Sequence, residues 1–207
     1  MNLYDYLNKI ENGFYIEAGA NDGLLQSNTL DLESNGWEGI LIEPSPDNAK
    51  KCSDIRRGTT INAALVSFDY KDSFIEGDFN LNSPSSKVSS IPEYITDFQN
   101  EIFESTIKVP ARTIDSIINE FNINKIDFFS LDVEGYELEV LKGMDFDKIR
   151  PKYFLIETSN KPYYQKIIQD FMDSNDYEHI DRLHYTESVG LNGQGNDDLF
   201  IDKKNKI

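Results

Sequence analysis

Carboxylates follow several short apolar stretches of the chain, and their positions suggest a ligand site. Glu17 follows FYI, Glu43 follows GILI, Asp132 follows DFFSL and Glu157 follows KYFLI. Such stretches are typical of strands that are buried on both faces of a parallel sheet. Ligands bind outside the carboxyl ends of the strands in such sheets, so we expect these acids to face a common site. A single acid in such a place could equally cap the following helix.

Residues 14–23, FYIEAGANDG, predict a strand that ends in a glycine turn. If a helix follows, its free backbone N–H groups can hold a nucleotide-like cofactor. The turn has the pattern E-x-G-x-N-x-G, whereas a dinucleotide site has G-x-G-x-x-G. Glu17 and Asp22 would repel a pyrophosphate, but they suit a cofactor that carries an ammonium and a sulfonium group. The charges therefore favour S-adenosylmethionine over a nicotinamide dinucleotide.

Glu43 has the spacing of an acid that binds a ribose. It lies 20 residues after Gly23, where a carboxylate that accepts hydrogen bonds from ribose hydroxyls is expected after a glycine turn. Both candidate cofactors contain adenosine, so Glu43 alone does not separate them.

Apolar stretches alternate with amphipathic segments along the chain. The predicted strands are 14–19, 39–44, 59–70, 126–132, 152–157, 177–183 and 197–202. The predicted helices are 1–12, 27–35, 45–55, 113–121, 133–144 and 161–174. Ser27 or Asn28 is the expected cap of the second helix. The alternation predicts an α/β fold with a mostly parallel, doubly wound sheet and helices on both faces.

The length of 207 residues predicts a single domain, without repeats or a linker. We divide it into an N-terminal helix (1–12), a cofactor-binding core (13–65), a polar insertion with a serine-rich loop (66–108) and a catalytic half (109–207). The hydrophobic runs are shorter than the roughly 20 residues of a membrane span. The start of the chain lacks the pattern of a secretory signal, and Cys52 is the only cysteine. These features predict a cytoplasmic protein.

The charge balance argues against a nucleic-acid partner. The formal net charge is −17, whereas a protein that neutralises phosphates needs a basic face. The only basic cluster is KKCSDIRR, residues 50–57. Short charged runs are usually solvated, so we interpret this one as an exposed helix face.

Two long blocks carry a family resemblance. FYIEAGANDGLLQSNTLDLESNGWEGILIEPSPDN and, much later, RTIDSIINEFNINKIDFFSLDVEGYELEVLKGM resemble the FkbM family of S-adenosylmethionine-dependent methyltransferases. The similarity covers about residues 13–160 and the DDLF segment near the end. It implies a Rossmann-like class I methyltransferase fold. It also implies methyl transfer, most often to an oxygen of a sugar, glycan or small metabolite.

The resemblance also implies which residues bind the cofactor. They lie at or just after the ends of predicted strands: Glu17, Gly19, Asn21, Asp22, Gly23, Ser27, Glu43, Asn62, Ala63 and Asp132. Glu17 and Gly19 are expected beside the methionine part and Glu43 beside the ribose. Asn62 and Ala63 are expected to flank the adenine.

Asp132 should point toward the transferred methyl group and is the first candidate for the base that takes the acceptor's proton. His184 is the second candidate, because a histidine titrates near neutral pH. Asp132 and Glu157 could instead hold a divalent cation; this alternative is not favoured, because paired carboxylates have other uses. Two other function classes stay open, namely a nicotinamide-dependent oxidoreductase and a non-catalytic module that keeps the cofactor fold.

Overall fold

A seven-stranded sheet forms the centre of the protein in its computed structural model, which describes residues 2–79, 87–88, 106–158, 162–184 and 196–205. In chain order, the strands are β1 (Phe14–Ala18), β2 (Glu38–Glu43), β3 (Thr59–Asn62), β4 (Ala64–Leu65), β5 (Phe74–Asp78), β6 (Lys87–Val88), β7 (Ile107–Arg112), β8 (Phe128–Leu131), β9 (Tyr153–Glu157), β10 (Tyr177–His184) and β11 (Asn196–Asp202). The helices are α1 (Leu3–Leu7), α2 (Leu30–Ser34), α3 (Pro46–Ile55), α4 (Ile114–Glu120), α5 (Glu137–Leu141) and α6 (Pro162–Ser174). A short 3₁₀ helix spans Lys203–Asn205.

The strand order in the large sheet is β10-β11-β9-β8-β1-β2-β3. Within this sheet, the five strands β9, β8, β1, β2 and β3 run parallel to one another. β11 is antiparallel to both of its neighbours, β9 and β10. The predicted mostly parallel sheet is therefore confirmed. The order reverses direction between β1 and β8, and a reversal of this kind marks the ligand-binding crevice of an open α/β sheet.

Helices cover both faces of the sheet, as predicted. Neighbouring residues of β8 show the alternation, because Phe128 belongs to one buried cluster and Phe129 to the other. Residues of α1, α2 and α3 pack with Phe128, and residues of α4, α5 and α6 pack with Phe129. This arrangement leaves the carboxyl edge of the parallel strands available for a site.

The register aligns the strand ends that carry the predicted site. Ala18 of β1 pairs with Ile42 of β2 on one side and with Leu131 of β8 on the other. The next residue on each strand is therefore at the same edge of the sheet. These three residues are Gly19, Glu43 and Asp132.

The predicted strand 59–70 is wrong in its length. It breaks at Ala63 into β3, which pairs with β2, and β4, which pairs with β7. β3 stops where its partner β2 ends at Glu43, so the following residues must find another partner. They join a small sheet with the order β4-β7-β5-β6.

The insertion 66–108 is not only a polar loop. Within it, β5 pairs antiparallel with β6 and with β7, which begins at Ile107. This small sheet escaped prediction because β5, FIEGD, buries only alternate residues and its apolar signal is weak. The predicted serine-rich loop lies mainly outside the described residues, as does most of the rest of the insertion.

Three predicted helices begin or end at other residues; one of them is the predicted helix 133–144, which covers only Glu137–Leu141. The N-terminal helix covers Leu3–Leu7 and not 1–12; Asn2 and Asp5 form a capping box at its start, and Asn8 caps its end. The second helix begins at Leu30, and Thr29 rather than Ser27 or Asn28 occupies the N-cap position without a side-chain cap bond. The Ser27 hydroxyl nevertheless accepts a hydrogen bond from the Leu30 backbone N–H at 3.2 Å, so Ser27 caps the start of this helix through its side chain. The Ser27 hydroxyl and the Asn28 backbone N–H also donate hydrogen bonds to Glu17.

No helix in the described part of the chain combines the length and the apolar character that are needed to cross a membrane. The division of residues 1–207 as a single methyltransferase domain stays a prediction.

Candidate functional site

A pocket opens at the carboxyl ends of β1, β2 and β8, where the strand order reverses. Its empty volume, with the open mouth included, is about 860 Å³. Residues from the sequence-predicted set that line it are Gly19, Asn21, Glu43, Ala63 and Asp132. The structure thus brings the turn after β1 together with the ends of β2 and β8.

Glu43 lies at the end of β2, on the floor of this pocket, and is almost completely buried. Its two carboxylate oxygens accept hydrogen bonds from the backbone N–H groups of Asn21 and Ser45, each at 2.8 Å. Burial raises the pKa of Glu43 to about 7, although these two hydrogen bonds act in the opposite direction. Each oxygen has a second lone pair, so the carboxylate can accept further hydrogen bonds from a ligand.

Gly19 brings the ends of β1 and β8 into contact. Its φ is +83°, and a Cβ on this residue would lie only 1.7 Å from the carbonyl oxygen of Asp132. Its N–H donates to the carbonyl oxygen of Ile42 in β2 at 2.9 Å. A glycine is therefore required here by both the backbone conformation and the close approach of β8.

Asp132 opens onto the pocket and shares a hydrogen bond with Glu157 at the end of the neighbouring strand β9. Desolvation raises the pKa of both groups, and for Glu157 the negative charge of Asp132 raises it further. Like charges this close disfavour a second ionisation. The hydrogen bond between them acts in opposite directions on the two groups, because it lowers the pKa of Asp132 and raises that of Glu157.

Glu137 shapes the loop that carries Asp132. Its buried carboxylate accepts hydrogen bonds from the backbone N–H groups of Val133 (3.1 Å) and Gly135 (3.0 Å), and from the hydroxyl of Tyr164. Burial raises the pKa of Glu137 to about 7. This loop needs such support, because Glu134 has a φ of +56°, which is unfavourable for a residue other than glycine.

Asp132, Glu137 and Glu157 each bring one carboxylate oxygen within 4.8 Å of the others. The structure thus adds Glu137 to the pair that the sequence suggested for a divalent cation. All of these carboxylates already take part in hydrogen bonds with the protein, and acidic groups of this kind are common without an ion. The role of a cation stays open.

Other residues of the predicted set lie outside the pocket lining: Glu17, Asp22, Gly23, Ser27 and Asn62. Asn62 donates from its side-chain amide to the carbonyl oxygens of Glu43 and Pro44. Asp22 accepts from the backbone N–H groups of Leu24 and Leu25. These side chains hold the backbone around the pocket, and their direct contact with a cofactor stays a prediction.

Glu17 is buried behind the glycine turn and not in the pocket. It accepts hydrogen bonds from the Ser27 hydroxyl, the Asn28 N–H and the Thr29 hydroxyl at 2.7 to 3.1 Å. Burial raises its pKa, and the nearby Arg56 guanidinium acts in the opposite direction. Its charge is thus balanced inside the protein, so Glu17 contributes less to cofactor choice than the sequence suggested.

Arg56 is the residue that sequence reasoning missed. We interpreted residues 50–57 as a solvated helix face, and Lys50 is indeed exposed and paired with Asp54. The Arg56 side chain, in contrast, is completely buried beside Glu17 and Glu33. The sequence carries no signal for this burial, because the acidic partners Glu17 and Glu33 come from β1 and α2.

His184 ends β10 at the same edge of the sheet, and its side chain lies outside the described residues. The strands β9 and β11 separate β10 from β8, which places the backbone of His184 roughly 14 Å from that of β8 at the usual strand spacing. Its role as a base stays a prediction, and the geometry favours Asp132.

Comparisons with known proteins agree with this geometry. Residues 17–185 match the family model of the methyltransferase FkbM domain. The 2-O-methyltransferase NoeI of Sinorhizobium fredii is 23% identical over 158 residues, which are 72% of this chain and 65% of NoeI. The chain therefore spans a little less than two thirds of the length of this curated relative.

Among solved structures, PH1948 of Pyrococcus horikoshii, a proposed RNA methyltransferase, has a TM-score of 0.51 with 13% identity. The match covers 99% of this chain and 80% of PH1948. At this identity the likeness shows a shared fold and nothing about the substrate.

Proposed function

The chain belongs to the FkbM methyltransferase family, and from this membership we propose that it transfers a methyl group from S-adenosylmethionine to a hydroxyl of a sugar or small metabolite. One observation carries the proposal beyond the family. Glu43, which is suited to a ribose, and Asp132, which is suited to deprotonate an acceptor, line the same pocket. The name of NoeI, a 2-O-methyltransferase, supports oxygen as the acceptor atom.

The pocket lining fits the proposed cofactor. Glu43 can accept hydrogen bonds from ribose hydroxyls through its remaining lone pairs. The small side chains of Ala63 and Ala64 leave space beside the end of β3 for an adenine ring. Glu134 and Asp132 add negative charge to the lining, which attracts a positively charged ligand.

S-adenosylmethionine supplies an electrophilic methyl group on a positively charged sulfur. The chain's task is to hold the acceptor oxygen in line with that group and to remove its proton, because a sugar hydroxyl is a weak nucleophile. Asp132 is suited to accept this proton, since it is open to the pocket and its raised pKa increases its affinity for a proton. Asp132 would take the proton that the acceptor hydroxyl loses when it receives the methyl group.

The charge of the lining favours an acceptor that is neutral or cationic at the reacting hydroxyl. The described lining contains Glu43, Asp132 and Glu134 and no lysine, arginine or histidine. A phosphate beside the reacting hydroxyl would therefore meet repulsion without a compensating cation. For this reason we propose sugars and small metabolites, rather than nucleic acids, as the acceptors.

Calorimetry of the purified chain with S-adenosylmethionine, S-adenosylhomocysteine and NAD tests the cofactor. We expect micromolar binding of the first two, or about −8 kcal/mol. We expect Glu43→Gln to weaken it by at least about tenfold, because charged hydrogen bonds to the ribose are lost. Glu38→Gln, at the exposed start of the same strand, is the matched control and should leave the affinity unchanged.

The other function classes give different results in the same titrations. Binding of NAD alone would replace the proposal with an oxidoreductase. Binding of none of the three ligands would favour a non-catalytic module that keeps the fold.

A further inference from the structure

A buried arginine lies directly behind the wall of the pocket. Arg56 follows α3, and its side chain has no solvent exposure. Its Nη1 donates to the carbonyl oxygen of Gly23 at 2.9 Å and to the hydroxyl of Ser27 at 3.0 Å. Its Nη2 donates to the hydroxyl of Thr29 at 2.8 Å. The guanidinium does not line the pocket.

The two Nη1 bonds hold the ends of one short segment, residues 23–27. The middle of this segment, Leu25 and Gln26, lines the pocket. Its backbone is unusual, because φ is +82° at Gly23 and +57° at Gln26. A non-glycine residue adopts such a conformation only when its surroundings enforce it, and Arg56 supplies bonds at both ends.

Buried acids keep Arg56 in this place. Its guanidinium lies 3.4 Å from Glu17 and 3.3 Å from Glu33, both nearly buried. Glu17 in turn accepts hydrogen bonds from Ser27 and Thr29. The network therefore connects the end of α3 to the whole loop between β1 and α2. Removing the arginine would leave the buried Glu17 carboxylate without its cation, which is strongly unfavourable.

We propose that Arg56 is a positioning residue for cofactor binding, which acts by holding residues 23–27 in the shape of the pocket wall without touching the ligand. The identity of the ligand rests on the proposed function, whereas the effect on residues 23–27 does not. A preformed wall raises affinity because the ligand does not have to order the loop.

Arg56→Lys tests the proposal. The lysine keeps the charge near Glu17, but its single ammonium lacks the planar fork with which Nη1 binds Gly23 and Ser27 while Nη2 binds Thr29. We expect amide hydrogen exchange at residues 23–27 to rise by at least about tenfold while the β8 amides keep their protection. We expect the calorimetric Kd for S-adenosylhomocysteine to rise by at least about tenfold, which is 1.4 kcal/mol.

Arg57→Lys is the matched control. Arg57 is the next residue, is largely exposed and pairs with Glu33, and none of its hydrogen bonds reaches residues 23–27. It should leave both the exchange rates and the Kd unchanged. If Arg56→Lys does not fold, Ser27→Ala serves as the test variant, because it removes one of the two Nη1 contacts and no charge. We expect it to raise the exchange at residues 23–27 and the Kd in the same direction, each by a smaller factor.

Several results would overturn the proposal. One is a folded Arg56→Lys protein in which both the Kd and the exchange at residues 23–27 are unchanged. If Arg56→Lys does not fold, the same unchanged values in Ser27→Ala have this meaning. Another is an equal rise of exchange in β8 and in residues 23–27, which would make Arg56 a residue of general stability. If the wild-type chain does not bind S-adenosylhomocysteine but residues 23–27 still respond to Arg56→Lys, the proposed function fails while the control of this segment by Arg56 stands.

Discussion

Asp132 and Glu157 illustrate how two similar carboxylates can take different roles. Both end parallel strands, and both have raised pKa values because the site desolvates them. Glu157 is also affected by the charges of its neighbours Asp132, Glu137 and Glu134. A carboxylate among so many acids retains its proton more readily, whereas the hydrogen bond from Glu157 acts against the rise in the pKa of Asp132. In the proposed function, Glu157 thus prepares Asp132 as the base.

Asp132→Asn should lower turnover by about 100-fold or more while S-adenosylhomocysteine binds within about tenfold of the wild type. The asparagine keeps the shape but cannot accept the acceptor's proton. The measurement is transfer of labelled methyl to the best acceptor from a panel of sugars and small metabolites. Asp147→Asn, at an exposed position in another loop, controls for the loss of one negative charge.

Two other outcomes of that assay would change the mechanism. Full turnover in Asp132→Asn would remove Asp132 from the chemistry and leave His184 as the candidate base. A loss of wild-type activity in EDTA that Mg²⁺ restores would assign the carboxylates to a cation. We expect EDTA to have no effect.

Glu137 should make the protein less stable as the pH rises. Its pKa is 4.5 when unperturbed and about 7 in the folded protein, so the folded state binds more protons between these values. The contribution of Glu137 is therefore fully present below pH 4.5 and is lost as the pH rises through 7. The size is at most about 3 kcal/mol. Glu43, with its raised pKa, acts in the same direction.

Urea unfolding near pH 5 and near pH 8 measures this effect. Glu137→Gln should show a smaller decrease in unfolding free energy across that range than the wild type, because the amide does not titrate. Glu139→Gln, on the same helix with a partly exposed side chain that pairs with Lys142, should keep the full decrease. An equal pH dependence in Glu137→Gln would show that Glu137 is ionised in the folded protein.

At the scale of elements, the close approach of the ends of β1 and β8 requires that residue 19 has no side chain. Gly19→Ala would place a methyl group against the backbone of Asp132, which cannot move without separating two central strands. We expect a loss of several kcal/mol or no cooperative folding, as judged by thermal unfolding. Gly36→Ala is the matched control, since its φ is also positive, +91°, but its nearest neighbour is 3.9 Å away. Backbone strain alone should cost it about 1 kcal/mol.

If Gly19→Ala is as stable as Gly36→Ala, the ends of β1 and β8 must be farther apart than in this structure, where a Cβ on residue 19 would lie 1.7 Å from the carbonyl oxygen of Asp132. It would also weaken the placement of Asp132 beside the turn. The comparison therefore tests the geometry of the site without a ligand.

The sequence was informative where an element is strongly apolar and buried on both faces. β2, β8 and β9 are of this kind, and their ends carry Glu43, Asp132 and Glu157. It was uninformative for β5 and β7, whose burial alternates and whose pairing is long-range. Arg56 and Glu137 illustrate the same limit within the site, because their buried partners come from other elements. Only the tertiary fold decides that such charges are buried.

At the scale of the whole molecule, the charge bears on the kind of partner, whereas the fold does not. The chain shares its fold with PH1948, a proposed RNA methyltransferase. Its formal net charge is −17, and the described pocket lining contains acids without basic residues. A fold carries many functions, whereas binding to phosphates requires cations at the contact surface. We therefore give the charge more weight than the fold.

The chain should neither bind nor methylate RNA. At about 150 mM salt we expect no change in the anisotropy of labelled RNA up to roughly 100 μM protein, because non-specific binders reach 10⁻⁴ to 10⁻⁶ M only through cationic contacts. A basic RNA-binding protein in the same buffer shows that the assay responds. Micromolar binding that weakens steeply with added salt would reveal a basic contact surface outside the pocket. Methyl transfer to that RNA would move the acceptor from small molecules to nucleic acid, and Asp132→Asn would then show whether the same base serves it.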